Sequence, residues 1–223
     1  AVPLGPGFSL PLEELQRAGG ALTFITNPNN PAGTHYPPAQ IAELAAAGPN
    51  LVAVDEAYAE FAESDCLELL SEFANLCIIR TFSKAYGLAG LRVGYLLGPP
   101  DLVAALLKIK DSYNVNRVAQ VAALAALDDR DWAESMWADV RARRDKLAGD
   151  LTALGLTVHA SGSNFLLVDF GAASAVEVQQ RLEDRRILVR HLGGSSDTEN
   201  CLRITVGSAD EMQKLLESLR ECL

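Results

Sequence analysis

The 223 residues contain no C-x-x-C pair. The four cysteines (Cys66, Cys77, Cys201, Cys222) and the three histidines (His35, His159, His191) are scattered, so no metal-ligand spacing is spelled out. Basic residues are scarce: 19 Lys and Arg against 29 Asp and Glu leave a net charge of −10. That balance excludes a nucleic-acid surface, which needs a basic footprint. No apolar run approaches the roughly 18–20 residues that cross a bilayer, which excludes a membrane span. No basic-then-apolar leader opens the chain, and a cytoplasmic protein is expected. Repeats and low-complexity tracts are absent, so a solenoid is excluded. What is present suits a globular protein: 49% hydrophobic and 22% charged residues, over a length sufficient for one large domain or a domain and a half. Position 1 is Ala, and "AVPLGPGFSL" reads as a loop leading into a helix, as expected of a processed chain or part of a longer one.

Short apolar runs alternate with helical patterns. "ALTFIT" (21–26), "LVAV" (51–54), "LCIIRTF" (76–82) and "VGYLL" (93–97) lack an exposed polar face and predict strands of a buried parallel sheet. "PPAQIAELAAAG" starts with prolines and stops at Gly48, which suits a helix with Pro in its first turn. Another helix is expected from near Pro100. Alternation of this kind predicts an α/β layer architecture, a mostly parallel sheet covered by helices. After about Val115 two long helical patterns follow, the second with an apolar stripe at Trp132, Met136, Val140, Leu147, Leu151 and Leu154. "NFLLVDF", a helix from Ser174 to about Asp184, "ILVR", "CLRITV" and a helix from Ser208 then describe a small α+β C-terminal domain. The expected division is residues 1–135 and 136–223, inside the long helix.

In doubly wound sheets, ligands gather at the carboxyl ends of strands. Asn30 in "NPNNPAG", Asp55 and Tyr58 in "DEAY", and Ser83 and Lys84 in "TFSK" all fall at such ends. A lysine amine can condense with an aldehyde. Hydroxyls and an arginine beside it can hold a phosphate. An aspartate can keep a ring nitrogen protonated, while a phenol and an amide bind a ring oxygen. One cofactor makes all these demands: pyridoxal 5′-phosphate. A carboxylate near such a ring moves its pKa by roughly 1–3 units, about 1.4–4 kcal/mol in favour of the protonated form. Each residue also has a plainer use. A loop lysine is usually solvated, Asp55 can cap a helix, Tyr58 can pack, Asn30 can turn the chain, and Arg92 can pair with a surface acid.

"ITNPNNPAGT", "VAVDEAYAEF", "TFSKAYGLAGLRVGY" and "LRITVG" resemble, in order and across the whole chain, the pyridoxal-phosphate-dependent aminotransferases of fold type I, histidinol-phosphate aminotransferases most of all. The resemblance implies Lys84 as the covalent anchor and proton shuttle, and Asp55 on the pyridinium nitrogen. It implies Tyr58 and Asn30 on the phenolic oxygen, and Ser83, Arg92 and Thr81 on the phosphate. Arg203 would bind a substrate carboxylate and Arg190 the phosphate end of histidinol phosphate, with Asn164 facing the same pocket; Arg190 and Asn164 could equally serve a surface ion pair and a turn. The implied activity is transamination in histidine biosynthesis, between an amino acid such as glutamate and a keto substrate such as imidazole acetol phosphate. The expected partners are small molecules and a second copy of the chain in a homodimer. Rivals within the fold are an aromatic aminotransferase and an amino-acid phosphate decarboxylase; a lysine-based aldolase needs no phosphate clamp. The family also implies an N-terminal part ahead of "VPL" that these residues do not include. Its loss would expose sheet edges and makes a non-catalytic remnant the second expectation.

Overall fold

The computed structural model describes residues 1–223 as two four-stranded sheets and seven α-helices. In the first sheet β1 (Leu22–Thr26), β2 (Leu51–Asp55) and β3 (Leu76–Thr81) run parallel, and β4 (Gly94–Leu97) returns antiparallel to β3. The spatial order is β1-β2-β3-β4. The sheet is thus mostly parallel, as expected, with its last strand reversed. β4 follows β3 after a loop with a 3₁₀ turn at Ala89–Leu91, not after the helical crossover that parallel pairing needs.

One face of this sheet carries Ile25, Val52, Val54, Leu76 and Ile78. It packs under α2 (Pro38–Ala46), with Leu12 and Leu15 of α1 (Leu12–Ala18) at the margin. One end of each helix follows sequence chemistry: Pro38 opens α2, and Gly19 closes α1 in the left-handed region at φ 60°. On the opposite face Leu22 and Phe24 are more than half exposed. The expectation that these strands lack an exposed face is thus corrected at β1, which is an edge strand with no neighbour on its outer side.

Next come α3 (Pro100–Ile109), α4 (Arg117–Asp128) and α5 (Arg130–Ala153). α4 buries Ala119 and Ala123 against Phe82 and Val93, yet Val118, Val121, Leu124 and Leu127 on its other side stay exposed. In α5 the expected stripe is out of phase over its first half. Trp132 and Met136 face solvent, and Ala133 and Trp137 are buried instead, beside Tyr58, Phe61 and Ala85. Further on, Leu147 and Leu151 enter a second core as the pattern predicts.

That second core lies on a sheet of order β5-β6-β8-β7, entirely antiparallel: β5 (Thr157–Val158), β6 (Phe165–Asp169), β7 (Arg190–His191) and β8 (Cys201–Thr205). Two helices, α6 (Ala175–Asp184) and α7 (Ala209–Cys222), cover it through Val178, Leu182, Leu215 and Leu219. The "ILVR" strand is corrected to two residues, since only Arg190 and His191 pair with β8. The start of α7 is a reciprocal cap: Glu211 N donates to Ser208 Oγ at 3.3 Å while Glu211 Oε2 accepts from Ser208 N at 2.7 Å.

Candidate active site

The carboxyl ends of the parallel strands come together by register. Thr26 lies opposite Asp55, and Asp55 opposite Ile79. The loops leaving those ends carry the motif residues onto one rim. Asp55 is half-buried; its Oδ1 accepts from Ala57 N at 3.1 Å, which turns the chain and leaves the second oxygen without a partner in the chain. Three residues on, Tyr58 is 7% exposed, with its ring edge-on to Phe165 at 5.2 Å.

Lys84 is exposed, with Nζ 5.5 Å from the Tyr58 ring centroid, within cation–π range. Its loop is built by short bonds. Ser83 N donates to Thr81 Oγ1 at 3.1 Å, and Thr81 Oγ1 donates to Val93 O at 3.3 Å. The Thr81 hydroxyl is therefore engaged inside the loop, and it shapes the turn that presents Ser83. Arg92 sits in the left-handed region at φ 54°, where its Nη1 donates to Ala89 O at 2.9 Å and reaches Ser83 Oγ at 3.5 Å. Behind Lys84, Trp137 Nε1 donates to Ala85 O at 2.8 Å and fixes the next backbone unit.

From the second sheet, Arg203 on β8 stacks on the Phe165 ring at 5.1 Å and donates from Nη1 to Asn30 Oδ1 at 2.7 Å. One row thus runs from Lys84 through Tyr58 and Phe165 to Arg203 and Asn30, joining residues of all four sequence motifs. Arg190 lies directly opposite Arg203 in register, so both side chains leave the same face of the sheet. Asn164 is half-buried and accepts Val206 N through its carbonyl at 2.9 Å. The loops that carry Asn30 and Asn164 touch at Gly33, where φ is +82° and an added Cβ would lie 2.8 Å from Ser161 Cβ. Gly162 N donates to Gly33 O there at 2.8 Å.

The sequence motifs do not point to Phe165, Trp137, Arg141 or Arg144 as site residues. Phe165 alone carries a sequence signal, since it follows Asn164 at the start of an expected strand. A further group lies under the Tyr58 loop. Arg80 is 9% exposed, with Nη2 2.6 Å from Glu56 Oε2 and 2.8 Å from Asp65 Oδ2. Burial works against its charge, but the Asp65 and Glu56 contacts outweigh it and hold the guanidinium protonated. Glu60 is different. Both of its oxygens are buried without a hydrogen bond, Arg80 being 4.0 Å away, and burial raises its pKa. Glu60 and Arg80 line a cavity of about 420 Å³ with Tyr86, Tyr95 and Trp137. Lys84, Asp55, Asn30 and Arg203 are not in its wall, so this cavity is distinct from the Lys84 rim.

The family model for aminotransferase class I and II matches residues 7–219. This chain belongs to the class I and II aminotransferases. A histidinol-phosphate aminotransferase of Nostoc sp. is 41% identical over 214 residues, covering 96% of this chain and 60% of its own length. Among solved structures, the Sinorhizobium meliloti histidinol-phosphate aminotransferase in complex with pyridoxal-5′-phosphate superposes with a TM-score of 0.90. It is 33% identical, and the match covers 100% of this chain and 63% of that one. The L-threonine-O-3-phosphate decarboxylase of Porphyromonas gingivalis superposes with a TM-score of 0.80 at 25% identity, covering 90% of this chain and 63% of that one. The chain thus spans about 60% of the length of such relatives, and its α/β architecture is that of fold type I aminotransferases.

Proposed function

We propose that these residues form the covalent and electronic part of a pyridoxal-phosphate site for transamination between an amino donor such as glutamate and a histidinol-phosphate-type substrate. One observation carries the reading: the row Lys84–Tyr58–Phe165–Arg203–Asn30, in which an amine, a phenol, a guanidinium and an amide from four separate motifs meet on one rim.

The donor set fits the cofactor. When bound, pyridoxal phosphate supplies an electron sink for charge developing at the substrate Cα. Lys84 Nζ is the anchoring amine and, once free, the base that takes the Cα proton. Asp55 keeps a proton on the ring nitrogen. Tyr58 OH and Asn30 direct hydrogen bonds at the ring oxygen. Ser83 Oγ and the Arg92 guanidinium serve a phosphate, with Thr81 shaping that turn. Arg203 receives the substrate carboxylate. Arg190, on the same face, supplies a second positive group for a substrate with a phosphate at its far end, and Asn164 borders that space. Like charges opposed on a sheet are unfavourable unless an anion joins them.

The same set could serve an amino-acid phosphate decarboxylase, a reading supported by the Porphyromonas gingivalis neighbour. Homodimerisation is proposed from the exposed apolar residues of α4 and β1, which a lone copy would leave in water. No helix is long and apolar enough to cross a membrane, and a cytoplasmic location is proposed. We also divide the chain at 135/136, a reading supported by the separate cores on the two sheets.

Titration of the purified chain with pyridoxal phosphate should give a visible absorption band, which Lys84→Ala abolishes. Borohydride reduction should tag Lys84 alone. In a separate, unreduced sample, glutamate should convert the spectrum to that of the amine form. A tag elsewhere, or no band, refutes the proposal. A band that ignores amino donors favours a non-catalytic remnant, and carbon dioxide release from an amino-acid phosphate favours the decarboxylase.

A further inference from the structure

Two arginines on α5, one turn apart, reach the loop that carries Tyr58. Arg141 Nη1 donates to Glu60 O at 2.9 Å, and Arg144 Nη1 donates to the next carbonyl, Phe61 O, also at 2.9 Å. Arg144 does one thing more: the same nitrogen donates to Ser163 O at 3.2 Å. Phe61 N is itself bonded to Tyr58 O at 3.0 Å, and Ser163 directly precedes Asn164 and Phe165. Arg144 is 8% exposed, and its single carboxylate contact is the exposed Asp145, at 2.9 Å from Nε. A buried guanidinium must find acceptors, and its fixed planar fork holds those acceptors at a set separation. Here the buried acceptors are two carbonyls, 83 and 19 residues away along the chain.

We infer that Arg144 is a positioning residue that locks the Tyr58 loop and the Ser163–Phe165 segment into one unit, and so sets the spacing between the cofactor side and the substrate side of the site. The functional half of this inference rests on the proposed roles of Tyr58, Asn164 and Arg203; the mechanical half does not. Arg141 is the internal comparison, because it grips only the Tyr58 loop. The Gly162–Gly33 bond holds the other end of the 161–165 segment and is untouched by either substitution.

Hydrogen exchange on the 223-residue chain without cofactor tests the mechanical half. Arg144→Met should speed exchange about tenfold in both 58–62 and 161–165, the effect of losing roughly one net hydrogen bond from each segment. Arg141→Met should do so in 58–62 alone. Identical patterns in the two variants, or a response of only one segment to Arg144→Met, overturn the lock. Should Arg144→Met fail to fold, the wild-type chain decides. The two segments should then open with the same urea dependence, and different slopes overturn the inference. With pyridoxal phosphate bound, Arg144→Met should keep the visible band and raise the glutamate half-saturation about tenfold, while Arg141→Met stays within about threefold; equal shifts in the two variants refute the positioning role. A wild-type chain that forms no band but shows the joint exchange response sinks the proposed activity and leaves the lock standing. A band without that response does the reverse.

Discussion

Replacing Arg203 by Lys keeps the charge and removes the geometry, so it separates a carboxylate fork from a generic positive patch. Arg203 is poised by two contacts, the stack on Phe165 at 5.1 Å and the bond to Asn30 Oδ1 at 2.7 Å. A lysine cannot keep the planar stack, worth about 0.5–1 kcal/mol at a partly exposed site. It also offers a carboxylate a single point of attachment where arginine offers two parallel bonds, and one charge-assisted bond is worth about 1.5–3 kcal/mol. The two losses together come to about 2–4 kcal/mol, or roughly 30- to 700-fold in half-saturation. The assay is spectral titration of the cofactor-loaded chain with glutamate. Asn30→Ala should cost less there, roughly 2- to 12-fold, if it removes only an orienting bond of about 0.5–1.5 kcal/mol. A glutamate half-saturation unchanged in Arg203→Lys, with the visible band intact, would show that the substrate carboxylate binds elsewhere.

Three further outcomes concern what supports the site. Glu56→Gln strips Arg80 of its closest counter-charge and weakens the bond from Cys66 N, which is 2.7 Å long in the native chain; breaking a buried pair should cost about 3–5 kcal/mol in urea unfolding, and a loss below about 1 kcal/mol would refute the account. Glu60 has its pKa raised by burial, so the fold favours its neutral form. Its contribution is full below the unfolded pKa and is lost as pH rises through the folded one. Glu60→Gln should therefore be the more stable form above that range, by about 2–4 °C in Tm per kcal/mol gained, with the gap closing in acid; a gap that is constant with pH would contradict this. Ser208→Ala removes the reciprocal cap of α7 and should cost about 0.5–2 kcal/mol, read by thermal unfolding, whereas no change would mean that α7 is held by packing alone.

The motifs were legible because their chemistry is local. Ser83, Lys84 and Arg92 are drawn together by bonds within one loop, and Ser208 announces α7 through a glutamate three residues on. Strand positions were legible too, since β1 to β3 are apolar runs bounded by turn residues. The direction of β4 and the openness of β1 depend on connections and neighbours that no short window of sequence contains. The phase of α5 is hidden for the same reason. Both Met136 and Trp137 are apolar, and Trp137 is the one buried because it packs against Tyr58, Phe61 and Ala85 and its indole N–H finds a carbonyl 52 residues away. Arg144 reads as a surface residue of a charged helix until the carbonyls of Phe61 and Ser163 are known to converge on it.

The way the site holds its arginine follows from the same long-range packing. A carboxylate beside Arg203 would orient the guanidinium, but it would also neutralise it and compete with any incoming anion. None of the chain's ion pairs within 4.0 Å involves Arg203, Lys84, Arg92 or Arg190, although acidic residues outnumber basic ones by ten. Orientation comes from neutral groups instead. The Phe165 face supports Arg203, the Asn30 carbonyl oxygen fixes its rotation, and the Tyr58 face accompanies Lys84. An aromatic face attracts a cation without offering an oxygen that must be displaced. Pre-aimed and still charged, Arg203 would spend its full attraction on a ligand, which is the physical reason for placing two aromatic rings, and no acid, between the lysine and the arginine.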